Sequence, residues 1–339
     1  MGQRYGPRRP LGRRRGSIHG VDHPDSPGDP AFASLRPLEG GWSGETFVAE
    51  AGGERTVVRI YSGRRGPDAP AIDAAVLAHA AGVVPGVPPV LEVRRADPDQ
   101  GLPGLLVTGF LPGERGDLVL PRLDDAGAAS AGEALGRVLV ALAGAVLPRG
   151  GAFVDAALTI GPHPAPYDVD GLVELVEVLV AAPGSWLPAL GAAGLDRLAG
   201  LAREAQDLLD GVPQHCLVHS DLNPKNLLLR VPDEQDAPVE VTGVLDWEFA
   251  HAGNPFTDLG NLLRFERRPA FHDAVVTTYA ALRGVEADRA LELARAADLA
   301  ALVELASRAG QNPVSDRAAA QLGAVVASGD LDAQTGTWR

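Results

Sequence analysis

The sequence predicts an α+β protein with two lobes, a small N-lobe built on an antiparallel β-sheet and a larger, mainly helical C-lobe. Residues 34–61 and 90–110 form short runs with β-branched residues between glycines and prolines, which is typical of strands and hairpins. After Leu111-Pro112-Gly113 the composition changes to alanine- and leucine-rich stretches of helical length. We therefore divide the chain into a basic tail (1–30), an N-lobe (31–112) and a C-lobe (113–339).

The predicted elements follow this division. In the N-lobe we expect one helix at 71–81 and strands at 34–38, 46–50, 55–61, 90–94 and 105–110. In the C-lobe the helical stretches are 128–147, 169–181, 195–209, 272–282, 287–309 and 315–327. Only one patch of this half is strand-like, with runs at 216–220, 226–230 and 239–247. The C-lobe should therefore carry a single small β-structure at the entrance of a helical body.

The charge is distributed unevenly along the chain. The net charge is −14, yet the first sixteen residues hold six arginines and no acid, so the remaining residues carry −20. Such a body repels nucleic-acid phosphates and anionic lipid and favours a cationic ligand, which argues against nucleic-acid and membrane partners. The tail, residues 1–30, is predicted to be disordered, and it is either a tether or an extension without a function.

Cysteine and lysine occur once each. The one cysteine, Cys216, cannot form an internal disulfide, and no apolar run reaches the length of a membrane span. We expect a cytoplasmic protein without an obligate protein partner. Lys225 is the only lysine among 30 basic residues, so every other position that requires a cation must use arginine.

The densest group of polar residues lies between two apolar runs, at 217–229. Asp221 and Asn226 fall within it, and Asp246 follows the next apolar run. Their carboxylate and amide oxygens are hard ligands that suit Mg²⁺, whereas zinc would require histidine or cysteine at close spacing. The pattern indicates a divalent ion that bridges phosphate groups.

His219-Ser220-Asp221, Asn226 five residues later, and Asp246-Trp247-Glu248 together resemble the catalytic and metal motifs of the aminoglycoside phosphotransferase and choline-kinase-like branch of the protein-kinase fold. The resemblance covers residues 34–327 and implies that bilobal fold, with ATP or GTP bound between the lobes and with Mg²⁺ as cofactor. Ser220 departs from the motif, which normally has glycine at this place.

The resemblance also implies roles for individual residues. Asp221 matches the catalytic aspartate that accepts or orients the proton of the substrate hydroxyl, and Asn226 and Asp246 match the Mg²⁺ ligands. The nucleotide phosphates would be held by a glycine-bearing loop with Gly40, Gly41, Ser43 and Gly44. A cation on the third strand, Arg59, would bind the phosphates too, and an acid on the helix, Asp73, would orient it. The hinge between the lobes, with Thr108 and Phe110, would hold the base. The family normally has lysine in place of Arg59 and glutamate in place of Asp73.

Three further residues lie close to these motifs. Lys225 precedes Asn226 directly, where its ammonium could neutralise charge on the transferred phosphoryl group; the alternative is a solvated lysine on a loop. His219 is expected to fix the loop by hydrogen bonds rather than to act as a general base. Asp258 matches the structural aspartate below the catalytic loop.

These residues predict an ATP- or GTP-dependent O-phosphotransferase that uses Mg²⁺ and acts on a hydroxyl of a small, amine-bearing acceptor, foremost an aminoglycoside-type or other basic antibiotic. Acids of the C-lobe would meet the amines; the named candidate is Glu248, and the others are Glu266, Asp288, Glu292, Asp298 and Glu304. The same motifs serve kinases of choline, homoserine, fructosamine lysine or macrolides, so a metabolic kinase is an alternative. A non-catalytic binding module is another, which the Arg59 and Asp73 replacements favour.

Overall fold

The computed structural model describes residues 34–37, 44–51, 53–61, 65–234 and 237–334. The predicted basic tail, residues 1–30, lies outside this part of the chain, and so do Gly40, Gly41 and Ser43 of the glycine-bearing loop. The described residues form an antiparallel sheet lobe followed by a helical lobe. The predicted α+β, bilobal fold is confirmed.

The N-lobe is a five-stranded antiparallel sheet with one helix. Its elements are β1 (Ser34–Pro37), β2 (Gly44–Ala51), β3 (Glu54–Tyr61), α1 (Ala69–Ala81), β4 (Val90–Arg94) and β5 (Gly104–Gly109). The strand order is β1-β2-β3-β5-β4, which places β3 at the centre of the sheet. Helix α1 packs against β4 and β5 and buries Val76 and Leu77. From the central strand, Tyr61 reaches Asp73 on α1 and Arg59 reaches Asp246 in the C-lobe.

The C-lobe contains the remaining elements. They are β6 (Glu114–Arg115), α2 (Gly116–Val119), α3 (Asp125–Gly144), β7 (Val146–Leu147), β8 (Gly151–Phe153), β9 (Ile160–Gly161), α4 (Leu172–Ala181), α5 (Gly191–Asp210), β10 (His215–Val218), β11 (Leu227–Arg230), β12 (Glu240–Val244), β13 (His251–Gly253), α6 (Thr257–Leu263), α7 (Pro269–Arg283), α8 (Ala287–Ser307) and α9 (Pro313–Ser328). The six long helices lie within a few residues of their predicted positions.

The prediction of a single strand-like patch in the C-lobe is wrong, because the described residues of this lobe form two small sheets. One has the order β7-β10-β13-β8-β9, and in the other β11 lies between β12 and β6. Strands β6 to β9 and β13 have only two or three residues each. Such short segments cannot show the alternation of polar and apolar residues by which a strand is recognised.

The chain that leaves the N-lobe sheet joins the β11–β12 hairpin directly. Gly113 adopts a φ of +137°, and a Cβ at this position would overlap the side chain of Thr242 on β12. β6 then pairs with β11, with Arg115 opposite Leu228. A glycine is therefore required where the connection between the lobes passes over the hairpin.

Helices α3 and α7 pack closely in the core of the C-lobe. A Cβ on Gly132 would lie 2.6 Å from the carbonyl oxygen of Phe271, and one on Gly136 would lie 2.8 Å from the Cβ of Thr278. Among the described residues, α3 is the one helix long and apolar enough to cross a membrane, which differs from the expectation that no run reaches this length; half of its most apolar window is buried within the protein. Its buried apolar residues, such as Leu135 and Leu139, serve the packing of this core.

The buried apolar side chains form two clusters. The first extends from the N-lobe into the C-lobe and includes Tyr61, Leu77, Leu135, Leu217 and Leu259. The second lies between α4, α5, α8 and α9. Because the first cluster packs against both the hairpin β11–β12 and α6, the polar loops at the junction of the lobes rest on a rigid base.

Candidate active site

The hairpin β11–β12 brings the separated motifs together. Leu227 pairs with Val244, and the N–H of Leu245 donates to the carbonyl oxygen of Asn226 at 2.8 Å. Asp246 follows at once and has a left-handed φ of 65°, which ends the strand before the predicted position. Asn226 and Asp246 therefore lie at the same end of the hairpin although twenty residues separate them.

The loop between β10 and β11 is held by buried hydrogen bonds. Asp258, on α6, accepts from the backbone N–H groups of His219 and Ser220, both at 2.8 Å. Burial raises the pKa of Asp258 to about 6. This arrangement agrees with the structural role that the sequence predicts for Asp258, since one carboxylate binds two backbone donors of the loop between β10 and β11.

The imidazole of His219 is fully buried and uses both nitrogens. Nε2 lies 2.8 Å from the carbonyl oxygen of Leu245, and Nδ1 accepts from the N–H of Asp221 at 3.2 Å. These partners require a neutral ring protonated at Nε2, and burial lowers the pKa of His219 to about 4. His219 thus links the two halves of the site, and its one ring proton is committed to the carbonyl oxygen of Leu245. These hydrogen bonds agree with a role in fixing the loop.

Ser220 occupies a backbone conformation that favours glycine. Its φ is 68°, in the left-handed region, which explains why the family motif has glycine here. Ser220→Gly is expected to raise the free energy of unfolding by roughly 0.5–1 kcal/mol, because glycine adopts this conformation without the steric penalty of a Cβ. Urea unfolding of the wild type, Ser220→Gly and the control Ser220→Ala measures the effect. Equal stability of the glycine and alanine variants would contradict it.

Asp221 lies at the centre of the site, and two amides fix its carboxylate. Asn223 Nδ2 donates to Oδ1 at 2.9 Å and Asn226 Nδ2 donates to Oδ2 at 2.8 Å. Burial raises the pKa of Asp221, and the hydrogen bonds from Asn226 and Asn223 oppose this rise. A half-buried carboxylate of fixed orientation and raised basicity is suited to accept the proton of a hydroxyl group.

The oxygen donors at the end of the hairpin fit Mg²⁺. Asn226 uses its amide nitrogen on Asp221, at 2.8 Å from Oδ2, so its amide oxygen takes no part in that contact and could serve as a metal ligand. Burial and the charge of Glu248 raise the pKa of Asp246 to about 6, and a cation at this carboxylate would relieve that cost. No group of three or more His, Cys, Asp or Glu side chains that could hold a metal is present among the described residues. Two oxygen ligands completed by nucleotide phosphates are typical of Mg²⁺.

Arg59 and Asp73 do not pair in the way that the sequence predicts. Asp73 accepts from Arg65, with Nη1 at 2.8 Å and Nη2 at 2.7 Å, and from the hydroxyl of Tyr61 at 2.7 Å. Arg59 donates from Nη1 to Asp246 at 3.3 Å and from Nη2 to Glu248. Arg65 lies shortly after β3, and its guanidinium reaches both oxygens of the short Asp73 side chain. Arg59 pairs instead with the two acids that follow β12, Asp246 and Glu248.

The structure places the other predicted residues around this centre. Lys225 is exposed on the loop, and its ammonium forms no ion pair with any residue that the structure describes. Thr108 is buried on β5, and Phe110 lies just beyond this strand under the guanidinium of Arg55, at 3.9 Å from the ring centre. Gly44 begins β2 opposite Tyr61.

Sequence reasoning missed Asn223 and Arg65. Asn223 lies two residues after Asp221 in the motif loop, so its proximity was a usable signal. Arg65 lies in a glycine- and arginine-rich stretch outside any motif, and only the fold brings it to Asp73.

Most of the acids proposed to meet an amine-bearing acceptor are paired with arginines. Four of these pairs are Glu248 with Arg59, Asp298 with Arg264, Glu304 with Arg308, and Glu292 with Arg289. The side chain of Glu248 is only 3% exposed. The local charge at these positions is therefore largely neutralised within the protein.

A bilobal fold in which a fixed aspartate, two further side chains with oxygen donors and a strand arginine meet below the N-lobe sheet is typical of a phosphotransferase of the kinase-like class. The sequence profile of the phosphotransferase enzyme family matches residues 34–293. The chain belongs to this family and is a phosphotransferase, as the sequence predicts. A search of curated proteins finds no matching relative.

Solved structures confirm the fold. A thermostable mutant of aminoglycoside phosphotransferase APH(4)-Ia, in a ternary complex with AMP-PNP and hygromycin B, aligns with a TM-score of 0.60 and 19% identity over 90% of this chain and 95% of that chain. The GDP complex of aminoglycoside 2'-phosphotransferase-IIIa aligns with a TM-score of 0.60 and 17% identity over 87% and 93%. A protein from Ralstonia eutropha, described as a putative aminoglycoside phosphotransferase, aligns with a TM-score of 0.57 and 17% identity over 89% and 94%.

Proposed function

We propose that the chain transfers the γ-phosphoryl group of ATP or GTP to a hydroxyl of a small acceptor, with Mg²⁺, and that this acceptor bears amines in the manner of an aminoglycoside antibiotic. The observation that carries the reaction is the carboxylate of Asp221, held by Asn223 and Asn226 beside Asp246. Nucleotide and aminoglycoside complexes of the structural neighbours are consistent with it.

In this proposal each side chain has a defined task. The acceptor hydroxyl donates its proton to the carboxylate of Asp221, where each oxygen keeps a lone pair beyond the one that an amide uses. The acceptor oxygen forms a bond to the γ-phosphorus as the bond to the β–γ bridging oxygen breaks, and the nucleoside diphosphate leaves. Asp246 and the amide oxygen of Asn226 would hold Mg²⁺, which would supply positive charge to neutralise the phosphate oxygens. Arg59 provides a cation on β3.

The proposal that the acceptor bears amines rests on the net charge of the chain. The body of the chain carries −20, which attracts cations over its surface as a whole. The paired acids described above add little to this argument, because their charges are met by arginines. Choline, homoserine, fructosamine lysine and macrolides therefore belong in the same test as aminoglycosides.

An acceptor panel tests the proposal. The purified chain is incubated with Mg-ATP or Mg-GTP and each acceptor, while release of nucleoside diphosphate and the mass of the phosphorylated product are measured. We expect acceptor-dependent release with an amine-bearing compound. Binding of Mg-nucleotide by calorimetry without transfer to any acceptor would favour the non-catalytic module, and transfer only to an acceptor without amines would refute the substrate class.

Lys225 is proposed to act on the phosphoryl group. Lys225→Ala is expected to lower kcat about 10-fold, because an ammonium beside Asn226 stabilises charge that develops during transfer. Lys225→Arg should lose less, since it retains the charge. Steady-state kinetics at saturating nucleotide and acceptor provide the measurement, and unchanged turnover of the alanine variant would leave Lys225 as a solvated loop residue.

A further inference from the structure

Two arginines and three acids form a connected cluster where β3, α1 and the turn after β12 meet. Arg59 lies between Asp246 and Glu248, and Arg65 lies between Asp73 and Glu248, whose Oε2 is 3.8 Å from Arg65 Nη1. Glu248 is therefore the member that contacts both arginines. Its side chain is 3% exposed, compared with 18% for Arg59 and 33% for Arg65.

The carboxylate of Asp73 is already committed within this cluster. Its oxygens receive two hydrogen bonds from Arg65 and a third from the hydroxyl of Tyr61. The Asp73 side chain is 6% exposed, and this fork of donors fixes Arg65 against α1. Asp73 thus stabilises the junction between α1 and the end of β3. The arginine that it orients is Arg65, not Arg59.

Arg59, in contrast, depends on the turn that follows β12. Burial opposes its charge, while Glu248 and then Asp246 raise the pKa of the guanidinium. Asp246 is the proposed Mg²⁺ ligand, and its carboxylate would turn towards the metal when Mg-nucleotide binds. Glu248 would then be the acid that stays in contact with Arg59. The carboxylate of Glu248 is buried, so moving it away from the arginines would carry a large desolvation cost.

We propose that Glu248 is the positioning residue for Arg59: it takes the place of a helix acid in orienting the third-strand cation towards the nucleotide phosphates, and Arg65 bridges it to Asp73. This inference rests on the proposed nucleotide-dependent function. It assigns Glu248 to the nucleotide side of the site instead of to the acceptor. The orientation of the phosphate-binding cation is then set by the same turn that carries Asp246.

Two matched acid-to-amide changes test this assignment, Glu248→Gln and Asp73→Asn. Glu248→Gln is expected to raise the nucleotide KM, and the Kd for Mg-nucleotide measured by calorimetry, about 10-fold, while the acceptor KM stays within twofold. Asp73→Asn should change both nucleotide constants less than threefold and lower the thermal unfolding temperature more than Glu248→Gln does. Glu248→Asp should recover part of the affinity, since it restores the charge.

A double-mutant comparison adds a readout that a structural role would not move. In an Arg59→Met background, Glu248→Gln should not weaken nucleotide binding further, because the group it positions is gone. Equal nucleotide effects of Asp73→Asn and Glu248→Gln, or additive effects with Arg59→Met, would overturn the assignment. A raised acceptor KM would return Glu248 to the acceptor, and a shifted Mg²⁺ titration midpoint with unchanged nucleotide Kd would make it a metal ligand.

The wild type separates this inference from the proposed function. A wild type that binds Mg-nucleotide but transfers to no acceptor would refute the proposed reaction, while the calorimetric comparison of the variants still decides the role of Glu248. A wild type that transfers normally, with Glu248→Gln binding nucleotide equally well, would refute the role of Glu248 alone. A wild type without affinity for Mg-nucleotide would refute both.

Discussion

Asp221→Asn is expected to lower kcat about 10³-fold, because asparagine keeps the size of the side chain but cannot accept the proton of the acceptor hydroxyl. The two amides that hold Asp221, from Asn223 and Asn226, lie 2.9 and 2.8 Å from its oxygens, so the loss falls on a group of fixed position. Nucleotide affinity should change less than threefold. Single-turnover transfer and calorimetry with Mg-nucleotide measure the two quantities separately.

The control for this change is Asp99→Asn, which alters an exposed carboxylate far from the motifs in sequence and should leave kcat unchanged. A kcat within fivefold of the wild type in Asp221→Asn would show that Asp221 does not take the proton. Tight nucleotide binding with no detectable transfer in the wild type and the variant alike would instead support the non-catalytic module.

Asp246→Asn is expected to lower kcat about 10²-fold at saturating nucleotide and to raise the Mg²⁺ concentration required for half-maximal activity about 10-fold. The physical reason is that a neutral amide replaces the charged carboxylate of the proposed Mg²⁺ ligand. Burial and the neighbouring Glu248 already raise the pKa of Asp246 to about 6, so the site without a cation is short of positive charge.

Mg²⁺ titrations at fixed nucleotide and acceptor measure this second effect, again with Asp99→Asn as the control. Binding of nucleotide in EDTA should not weaken in Asp246→Asn, since the change removes a negative charge near the phosphates. An unshifted Mg²⁺ midpoint would contradict the assignment of Asp246 as a metal ligand. Weaker binding in EDTA would indicate that its pairing with Arg59, at 3.3 Å, matters more than the metal.

The lobe order and the motif loop could be predicted because their signals are local. The strands of the N-lobe sheet and the long helices show hydrophobic repeats over eight or more residues or are bounded by glycine and proline. The importance of Asp221, Asn226 and Asp246 could be predicted because these residues form a motif that is visible in their spacing along the chain. The hairpin register then accounts for their meeting, since Leu227 pairs with Val244.

Local signals fail where the element is short or the backbone is unusual. β12 ends at Val244 because Asp246 adopts a left-handed φ of 65°, which side-chain composition does not reveal. The sheet around β13 escaped prediction because its missed strands span two or three residues. In these cases hydrogen bonds to sequence-distant partners, such as His251 opposite Val218, decide the structure.

The sequence by itself determined the class of fold, the motif residues and the need for arginine wherever a cation other than Lys225 is used. Only the tertiary structure decided which acid each arginine meets: Asp73 holds Arg65, and Glu248 holds Arg59. A guanidinium sits at the end of a long, flexible side chain, so several acids from different elements are within its reach. Burial of the cluster requires each charge to be matched by an opposite one, and this requirement decides which acid pairs with which arginine. The cluster becomes buried only once the lobes have packed together.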